Sequence, residues 1–116
     1  TPLAYYCGID ELNLPYLACG ATGLVSVAGN VAADRNAELV RAIRSGDLNS
    51  AKIIQRSLTP LVDAIMRTSQ GAIMAKAALA ELGIIPHATV RLPLLESPPA
   101  HLQRLTDALA TIAAPA

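Results

Sequence analysis

The chain has 116 residues, of which nine are basic and nine are acidic, and it contains neither tryptophan nor phenylalanine. This balance argues against nucleic acid or a membrane surface as the partner, because such binding needs clustered lysine and arginine. No apolar run reaches the roughly 18 residues that cross a membrane, and the length suffices for one small domain with a core.

Two short apolar segments near the start predict parallel strands. The first covers residues 3–8, and the second covers residues 24–28, where Val25 and Val27 favour a strand. Because both segments are apolar on both faces, we expect helices to cover them, with Val25 in the core. A helix over residues 10–19 would join them, which gives the strand–helix–strand order typical of α/β proteins.

Helices dominate the rest of the chain. They are predicted over residues 32–45, 48–67, 72–82 and 100–114. Gly46 and Gly83 follow two of them as C-terminal stops, and Asp47 is expected to cap the next helix. Pro60 should kink or split the 48–67 helix. A loop with four prolines occupies residues 84–99.

The first residues of the chain indicate that its two strands are part of a larger sheet. Thr1-Pro2-Leu3 runs at once into an apolar strand, and two parallel strands cannot cover their own edges. We therefore expect further strands outside this chain. We place a domain boundary between residues 1–46, which hold the strands, and residues 47–116, which form a helical domain. We see no signal peptide.

The two cysteines, Cys7 and Cys19, are predicted to be reduced thiols. Two cysteines without a secretory signal are typical of a reducing compartment. We therefore expect a cytoplasmic protein.

Five segments together resemble the C-terminal part of the dihydrodipicolinate synthase family. They are Cys7-Gly8-Ile9-Asp10, Gly-Leu-Val-Ser-Val-Ala-Gly-Asn-Val-Ala at residues 23–32, Ser45-Gly46-Asp47, Lys76-Ala77-Ala78-Leu79 with Leu82-Gly83, and Arg91-Leu92-Pro93-Leu94. Each segment alone is weak, but the five occur in the family's order and spacing, and they extend over the whole chain.

The resemblance implies a partial (β/α)8 TIM barrel of the α/β class. The family fold is such a barrel followed by a C-terminal helical extension, and a complete barrel needs about 250 residues. This chain would supply the last two βα units and the extension, and an N-terminal barrel half would lie outside it.

The resemblance also implies a class I aldolase-type lyase of lysine and diaminopimelate biosynthesis. Family members condense pyruvate with L-aspartate 4-semialdehyde. A lysine forms a Schiff base with pyruvate, and a tyrosine relays protons. Both residues would lie upstream of this chain, so the chain alone should be inactive. No cofactor and no metal are implied, and the family is usually homotetrameric.

Two residues of this chain correspond to the family's substrate pocket. By this resemblance, Val25 occupies the position that touches pyruvate in the family, and Gly8 ends a strand at the catalytic face. The glycine at position 8 either allows a ligand to approach the backbone closely or only forms the strand-to-loop turn. Asp10 is either a pocket carboxylate or a helix N-cap, and we favour the cap. Ile9 replaces the family's usual acidic residue, and an isoleucine offers no polar contact to the second substrate.

Other reactive side chains are predicted to be bystanders. Lys52 and Lys76 fall within helices, away from the strand ends where barrel enzymes keep their chemistry. His87 and His101 are far apart and lack further ligands at metal spacing. Ser26 has no nucleophile elbow around it and no plausible base nearby.

In tetramers of the family, one dimer contact is formed by the helix that corresponds to residues 11–19 of this chain. The resemblance therefore makes Leu12, Tyr16 and Cys19 candidate interface residues. The alternative is that these side chains pack on neighbours within the chain itself.

Two other functions remain open. The chain could belong to a sialic acid lyase or a keto-deoxy-sugar aldolase, which share the pyruvate chemistry, although Arg91-Leu92-Pro93-Leu94 favours the synthase. It could also be an autonomous helical interaction module. A module should fold cooperatively as a monodisperse species, whereas a barrel piece should expose its apolar strands and associate.

Overall fold

The structure, a computed structural model, describes residues 3–113. Strand β1 (Tyr6–Cys7) pairs in parallel with β2 (Gly23–Leu24), with Tyr6 opposite Gly23 and Cys7 opposite Leu24. Thr1, Pro2 and residue 114, on which predictions were made, lie outside the described residues. The strand–helix–strand order of an α/β protein is confirmed.

Both strands are shorter than predicted. The backbone N–H of Val25 still donates to the carbonyl of Cys7 at 2.8 Å, but the chain then turns into a short 3-10 helix, Ala28–Asn30. The next N–H groups of Val27 and Ala28 donate to the Asp10 carboxylate instead of continuing the ladder. The predicted strand over residues 24–28 is therefore wrong beyond residue 25.

The segment between the strands forms two helical pieces. A 3-10 helix, Asp10–Leu12, precedes α1 (Asn13–Ala18), and Gly20, whose φ is +97°, lies two residues after the end of α1. Only glycine adopts that backbone angle without strain. The helix after β2 is α2 (Ala33–Arg44), and it ends at Gly46 as predicted.

The first part of the chain has its own apolar core. Its buried members are Leu17, Leu39, Ala42 and Ala51, and half-buried neighbours such as Leu24 pack against them. The core therefore joins α1, α2 and the start of α3 to one side of the strand pair.

Helix α3 (Leu48–Met66) begins where its cap predicts. Asp47 Oδ1 accepts from the Ser50 backbone N–H at 3.0 Å, and Asp47 Oδ2 accepts from the Ser50 hydroxyl at 2.6 Å. Pro60 lies inside α3, which continues across it in one piece, so the helix is not split.

The chain divides into two compact units inside α3, one up to residue 59 and one from residue 60. The domain boundary between residues 46 and 47 stays a prediction. In the second unit, α4 (Gly71–Glu81) packs on α5 (Pro99–Ala113). The largest buried side chains of this unit are Leu61, Ile65, Met74 and Leu105.

Both ends of α4 are capped. Gln70 Oε1 accepts from the Ala72 N–H at 2.7 Å, and Gly83 has a φ of +69° just after the helix. Residues 82–98 contain neither helix nor strand, in agreement with the proline-rich loop. Within residues 3–113, no helix is both long and apolar enough to cross a membrane.

Candidate functional site

The carboxyl ends of β1 and β2 lie side by side because the strands are parallel. Gly8 directly follows β1, and Val25 directly follows β2. Ligands of α/β proteins bind at this end of the strands, in the loops that follow them. The segments 8–10 and 25–28, called here the strand-end rim, are therefore the candidate site.

Val25 is exposed at the rim. Its side chain is 67% exposed, while its backbone N–H remains bonded to Cys7. The expectation that Val25 packs in the core of this chain is wrong, because no other part of residues 3–113 covers its side chain. Its role as a substrate contact stays a prediction.

Gly8 is exposed and faces open space. A Cβ built on Gly8 would meet no atom within 4 Å. Its φ also lies outside the left-handed region, so the turn does not require a glycine. The free space leaves room for a ligand against the Gly8 backbone, and this binding role likewise stays a prediction.

Asp10 is buried, with 3% exposure, and its carboxylate holds four donors. Oδ1 accepts from the Ser26 hydroxyl and from Asn13 Nδ2, the latter at 3.2 Å. Oδ2 accepts from the N–H groups of Val27 at 3.1 Å and Ala28 at 3.0 Å. The carboxylate thus links the loop after β1 to the turn after β2.

The preferred interpretation of Asp10 as the N-cap of its own helix is wrong. The 3-10 helix Asp10–Leu12 starts after Ile9, and no side chain caps it. Asp10 instead binds the first free N–H groups of the other 3-10 helix, Ala28–Asn30. A carboxylate is favoured at such a helix start because it meets unpaired N–H groups and the positive end of the helix dipole.

Ser26 uses its full hydrogen-bonding capacity. Its hydroxyl donates to Asp10, and it accepts from the Gly29 N–H at 2.7 Å and from Asn36 Nδ2 at 3.2 Å. A hydroxyl has one donor and two acceptor positions. A carboxylate, that of Asp10, therefore lies beside Ser26, contrary to expectation. Because this carboxylate already accepts four hydrogen bonds, the Asp10–Ser26 pair holds the backbone in place and does not activate the serine as a nucleophile.

Two asparagines complete this polar cluster, and sequence reasoning missed both. Asn13 is 2% exposed and Asn36 is 7% exposed. Asn36 lies three residues before the buried Leu39, on the same face of α2. A polar residue that interrupts an apolar helical stripe is the signal that could have indicated this cluster.

Neither lysine belongs to the segments that form the rim. Lys52 and Lys76 are exposed, on α3 and α4 respectively. Lys76 Nζ donates to the backbone carbonyl of Thr89 at 2.8 Å, which ties the loop after α4 to that helix. Their positions agree with the predicted structural and surface roles.

The remaining candidates form no catalytic cluster in residues 3–113. Groups of three or more His, Cys, Asp or Glu side chains that could hold a metal ion do not occur in that range. His87 is exposed, and His101 is partly exposed at the start of α5. Cys7 is buried and Cys19 is exposed, and both are free thiols.

The predicted interface residues form an exposed apolar face. Leu12 is 38% exposed and Tyr16 is 41% exposed, and Cys19 is exposed beside them. An apolar cavity of about 240 Å³ is lined by Tyr5, Pro15, Tyr16 and Cys19. The face is accessible, and its use in assembly stays a prediction.

Comparison with known proteins gives a consistent match. A sequence model of the Dihydrodipicolinate synthetase family matches residues 1–112. A 4-hydroxy-tetrahydrodipicolinate synthase from Kineococcus radiotolerans is 44% identical over 95% of this chain, and one from Corynebacterium urealyticum is 49% identical over 94%.

Comparison with solved structures finds the same family. A monomeric dihydrodipicolinate synthase variant superposes with a TM-score of 0.89 at 30% identity over 94% of this chain. The enzyme from Thermotoga maritima superposes with a TM-score of 0.88 at 31% identity over 92%. The chain spans about 36% of the length of these relatives and structures.

Proposed function

Because the chain belongs to the dihydrodipicolinate synthetase family, we propose that it is the C-terminal portion of a 4-hydroxy-tetrahydrodipicolinate synthase. The complete enzyme would condense pyruvate with L-aspartate 4-semialdehyde. The observation that carries this proposal is the match of 44–49% identity to synthases over nearly the whole chain. In this proposal, the open space beside Gly8 would receive the substrate.

The strand pair supports a barrel origin. Tyr6 is 53% exposed, and Val25 and Leu3 are also exposed, although such strands are normally buried on both faces in parallel sheets. We propose that β1 and β2 are the last two strands of an eight-stranded barrel. The other six strands would cover these exposed side chains, α2 would complete the last βα unit, and the helices after α2 would form the C-terminal extension.

The covalent chemistry is assigned to the part of the enzyme outside this chain. A lysine amine would add to the pyruvate carbonyl and expel water, which forms an iminium ion. Loss of a methyl proton then gives an enamine, whose carbon attacks the aldehyde of the second substrate. The exposed positions of Lys52 and Lys76 on helices support this assignment. Gly8 and Val25 would form part of the pocket wall.

Assembly is proposed through the exposed apolar face on α1. Leu12, Tyr16 and Cys19 present adjacent apolar surface, and a homotetramer would bury it between two copies. A cytoplasmic location is proposed with the same function, since two free cysteines are typical of a reducing compartment.

The test is a chimeric synthase. The C-terminal third of the Corynebacterium urealyticum relative is replaced by this chain, which is 49% identical to it. The chimera and the isolated chain are each treated with pyruvate and borohydride, which reduces a Schiff base to a stable adduct. Intact mass spectrometry and peptide mapping then locate the adduct. We expect it in the relative's part of the chimera, and none on the isolated chain.

Two results would overturn the proposal. One is an adduct on Lys52 or Lys76. The other is a chimera that unfolds cooperatively on heating, and is therefore folded, yet forms no adduct. Aspartate semialdehyde and N-acetylneuraminate, offered separately to the complete natural enzyme that contains this chain, distinguish a synthase from a sialic acid lyase.

A further inference from the structure

Both candidate substrate contacts depend on the same buried carboxylate. Gly8 stands two residues before Asp10, and Val25 stands one residue before Ser26, whose hydroxyl donates to Asp10. Beyond Val25 the two strands share no backbone ladder bond. From that point the Asp10 bonds to Ser26, Val27 and Ala28 join the two sides of the strand-end rim.

We propose that Asp10 is a positioning residue for the 2-oxo acid substrate. Its carboxylate fixes the separation of Gly8 from Val25, and it thereby controls the affinity of the pocket for pyruvate rather than the rate of bond formation. The proposal rests on the synthase function proposed above, since it assumes that pyruvate binds at the rim.

Only a carboxylate at position 10 satisfies all of these hydrogen bonds at once. Ser26 accepts from Gly29 and Asn36, so its proton must go to an acceptor, which is Asp10. The N–H groups of Val27 and Ala28 also need acceptors. An asparagine has one acceptor oxygen and one donor nitrogen, so it would leave one of these donors facing another donor.

The backbone of Asp10 is held as well. Gln55 Nε2, on α3, donates to the Asp10 carbonyl at 3.2 Å. The residue is thus fixed through its side chain to the turn after β2 and through its main chain to α3. A group fixed on both sides can transmit its position to Gly8, because only Ile9 separates them.

Asn13 makes the conservative variant tolerable. Its amide nitrogen donates to Asp10, while its Oδ1 is buried without a partner. In Asp10→Asn the Asn13 amide can rotate, so that its oxygen accepts from the new amide nitrogen. The variant therefore keeps the fold while it loses the bond that takes the Ser26 proton, and the rim is loosened without being unfolded.

The experiment uses the chimeric synthase described above. The initial rate of borohydride trapping is measured against pyruvate concentration for the parent, Asp10→Asn and Asp47→Asn. The last is a matched control, because Asp47 also caps a helix, but it lies at the start of α3, outside the rim. We expect Asp10→Asn to raise half-saturating pyruvate about tenfold and to change the maximal rate less than threefold. Asp47→Asn should match the parent.

The possible outcomes distinguish failure of the positioning role of Asp10 from failure of the proposed synthase function. A parent chimera that forms no adduct overturns both before any variant is compared. If the parent traps pyruvate and Asp10→Asn keeps the parental half-saturation, only the positioning role is overturned. A lower maximal rate at unchanged half-saturation also overturns it, because that is the result of general damage.

A second variant keeps the test valid if Asp10→Asn does not fold, as judged by circular dichroism. Ser26→Ala removes one donor and leaves the Asp10 bonds to Val27 and Ala28 in place. Half-saturating pyruvate should then rise about threefold, as the rim is only partly loosened. An unchanged value in a folded Ser26→Ala variant would overturn the role of the Asp10–Ser26 bond.

Discussion

The strand-end rim and the helical unit that starts at residue 60 are stabilised by different interactions. At the rim, one buried carboxylate binds four donors, two of them backbone N–H groups. In the helical unit, Leu61, Ile65, Met74 and Leu105 are buried, and alanines such as Ala78 allow the helices close contact. One region depends on directed bonds and the other on apolar area.

The difference shows what each kind of interaction is suited to. Apolar burial is not directional, so it stabilises helices without fixing any one atom closely. A buried carboxylate with four bonds fixes particular atoms, but it is costly if one partner is lost. The region expected to hold substrate uses directed bonds, although its strands stay exposed at Tyr6 and Val25.

The largest expected effect is on the helical unit. Leu105→Ala removes a side chain that is fully buried in α5, and we expect unfolding free energy to fall by about 3 kcal/mol, from lost burial and the cavity left behind. Urea unfolding followed by circular dichroism at 222 nm measures it. Leu92→Ala, at an exposed leucine, is the control and should stay within about 0.5 kcal/mol of the parent. Equal effects would contradict a packed apolar unit.

The next effect concerns the rim. Asp10→Ala leaves buried donors, including the Ala28 N–H, without an acceptor, and should cost about 2 kcal/mol. The chain has three tyrosines, Tyr5, Tyr6 and Tyr16, and no tryptophan, so tyrosine fluorescence reports the strand region during urea unfolding. The matched control is Asp107→Ala, an exposed carboxylate that accepts from Gln103. If the two variants lose the same stability, the rim is not specially dependent on its carboxylate.

Two glycines near the strands should respond differently to a methyl group. Gly20 has a φ of +97°, so Gly20→Ala should destabilise the strand region by about 1–2 kcal/mol. Gly8→Ala meets open space, and its unfolding free energy should stay within about 0.5 kcal/mol of the parent. In the chimera, however, Gly8→Ala should weaken pyruvate trapping. Unchanged trapping would remove Gly8 from the proposed pocket.

The smallest effect is on pH dependence. Hydrogen bonds from the Ser50 hydroxyl and backbone hold the pKa of Asp47 below its ordinary value of 3.8. A lowered folded-state pKa stabilises the protein above the unfolded pKa, and the contribution is lost as pH falls through the folded value.

Asp47→Asn should therefore unfold at slightly lower urea than the parent at pH 7, and the two should converge as the pH drops below about 4. Asparagine also caps helices well, so the difference isolates the charge. If the difference in urea midpoint between Asp47→Asn and the parent persists at low pH, the charge of Asp47 is not its cause.

The helices could be predicted because their ends are encoded locally. Gly46 and Gly83 adopt positive φ just after α2 and α4, and Asp47 caps α3 as its sequence position indicates. Pro60 did not mark a helix end, since α3 continues across it. Signals of this kind involve residues within one turn of each other.

The rim could not be predicted in the same way, because its bonds join residues that are distant in sequence. The residue types at positions 10 and 26 are visible in the sequence, yet nothing local shows that Asp10 binds Ser26 and Val27 across β1 and β2. The same contact takes up the Val27 and Ala28 N–H groups, which a longer strand would have used in its ladder. The resemblance predicts Gly8 and Val25 as site residues, which stays a prediction, whereas the capping preference of aspartate indicated the wrong helix for Asp10.

Ile9 has a consequence for protein engineering. Ile9 is 51% exposed, and its side chain makes no capping hydrogen bond. Its neighbours in sequence are Gly8 and Asp10, and Asp10 is held by hydrogen bonds from its side chain and its main chain. Position 9 can therefore be randomised at little expense in folding, while its backbone is kept in place by its neighbours. If the proposed synthase function holds, a directed-evolution library that seeks a different aldehyde acceptor would start at this residue and leave Asp10 unchanged.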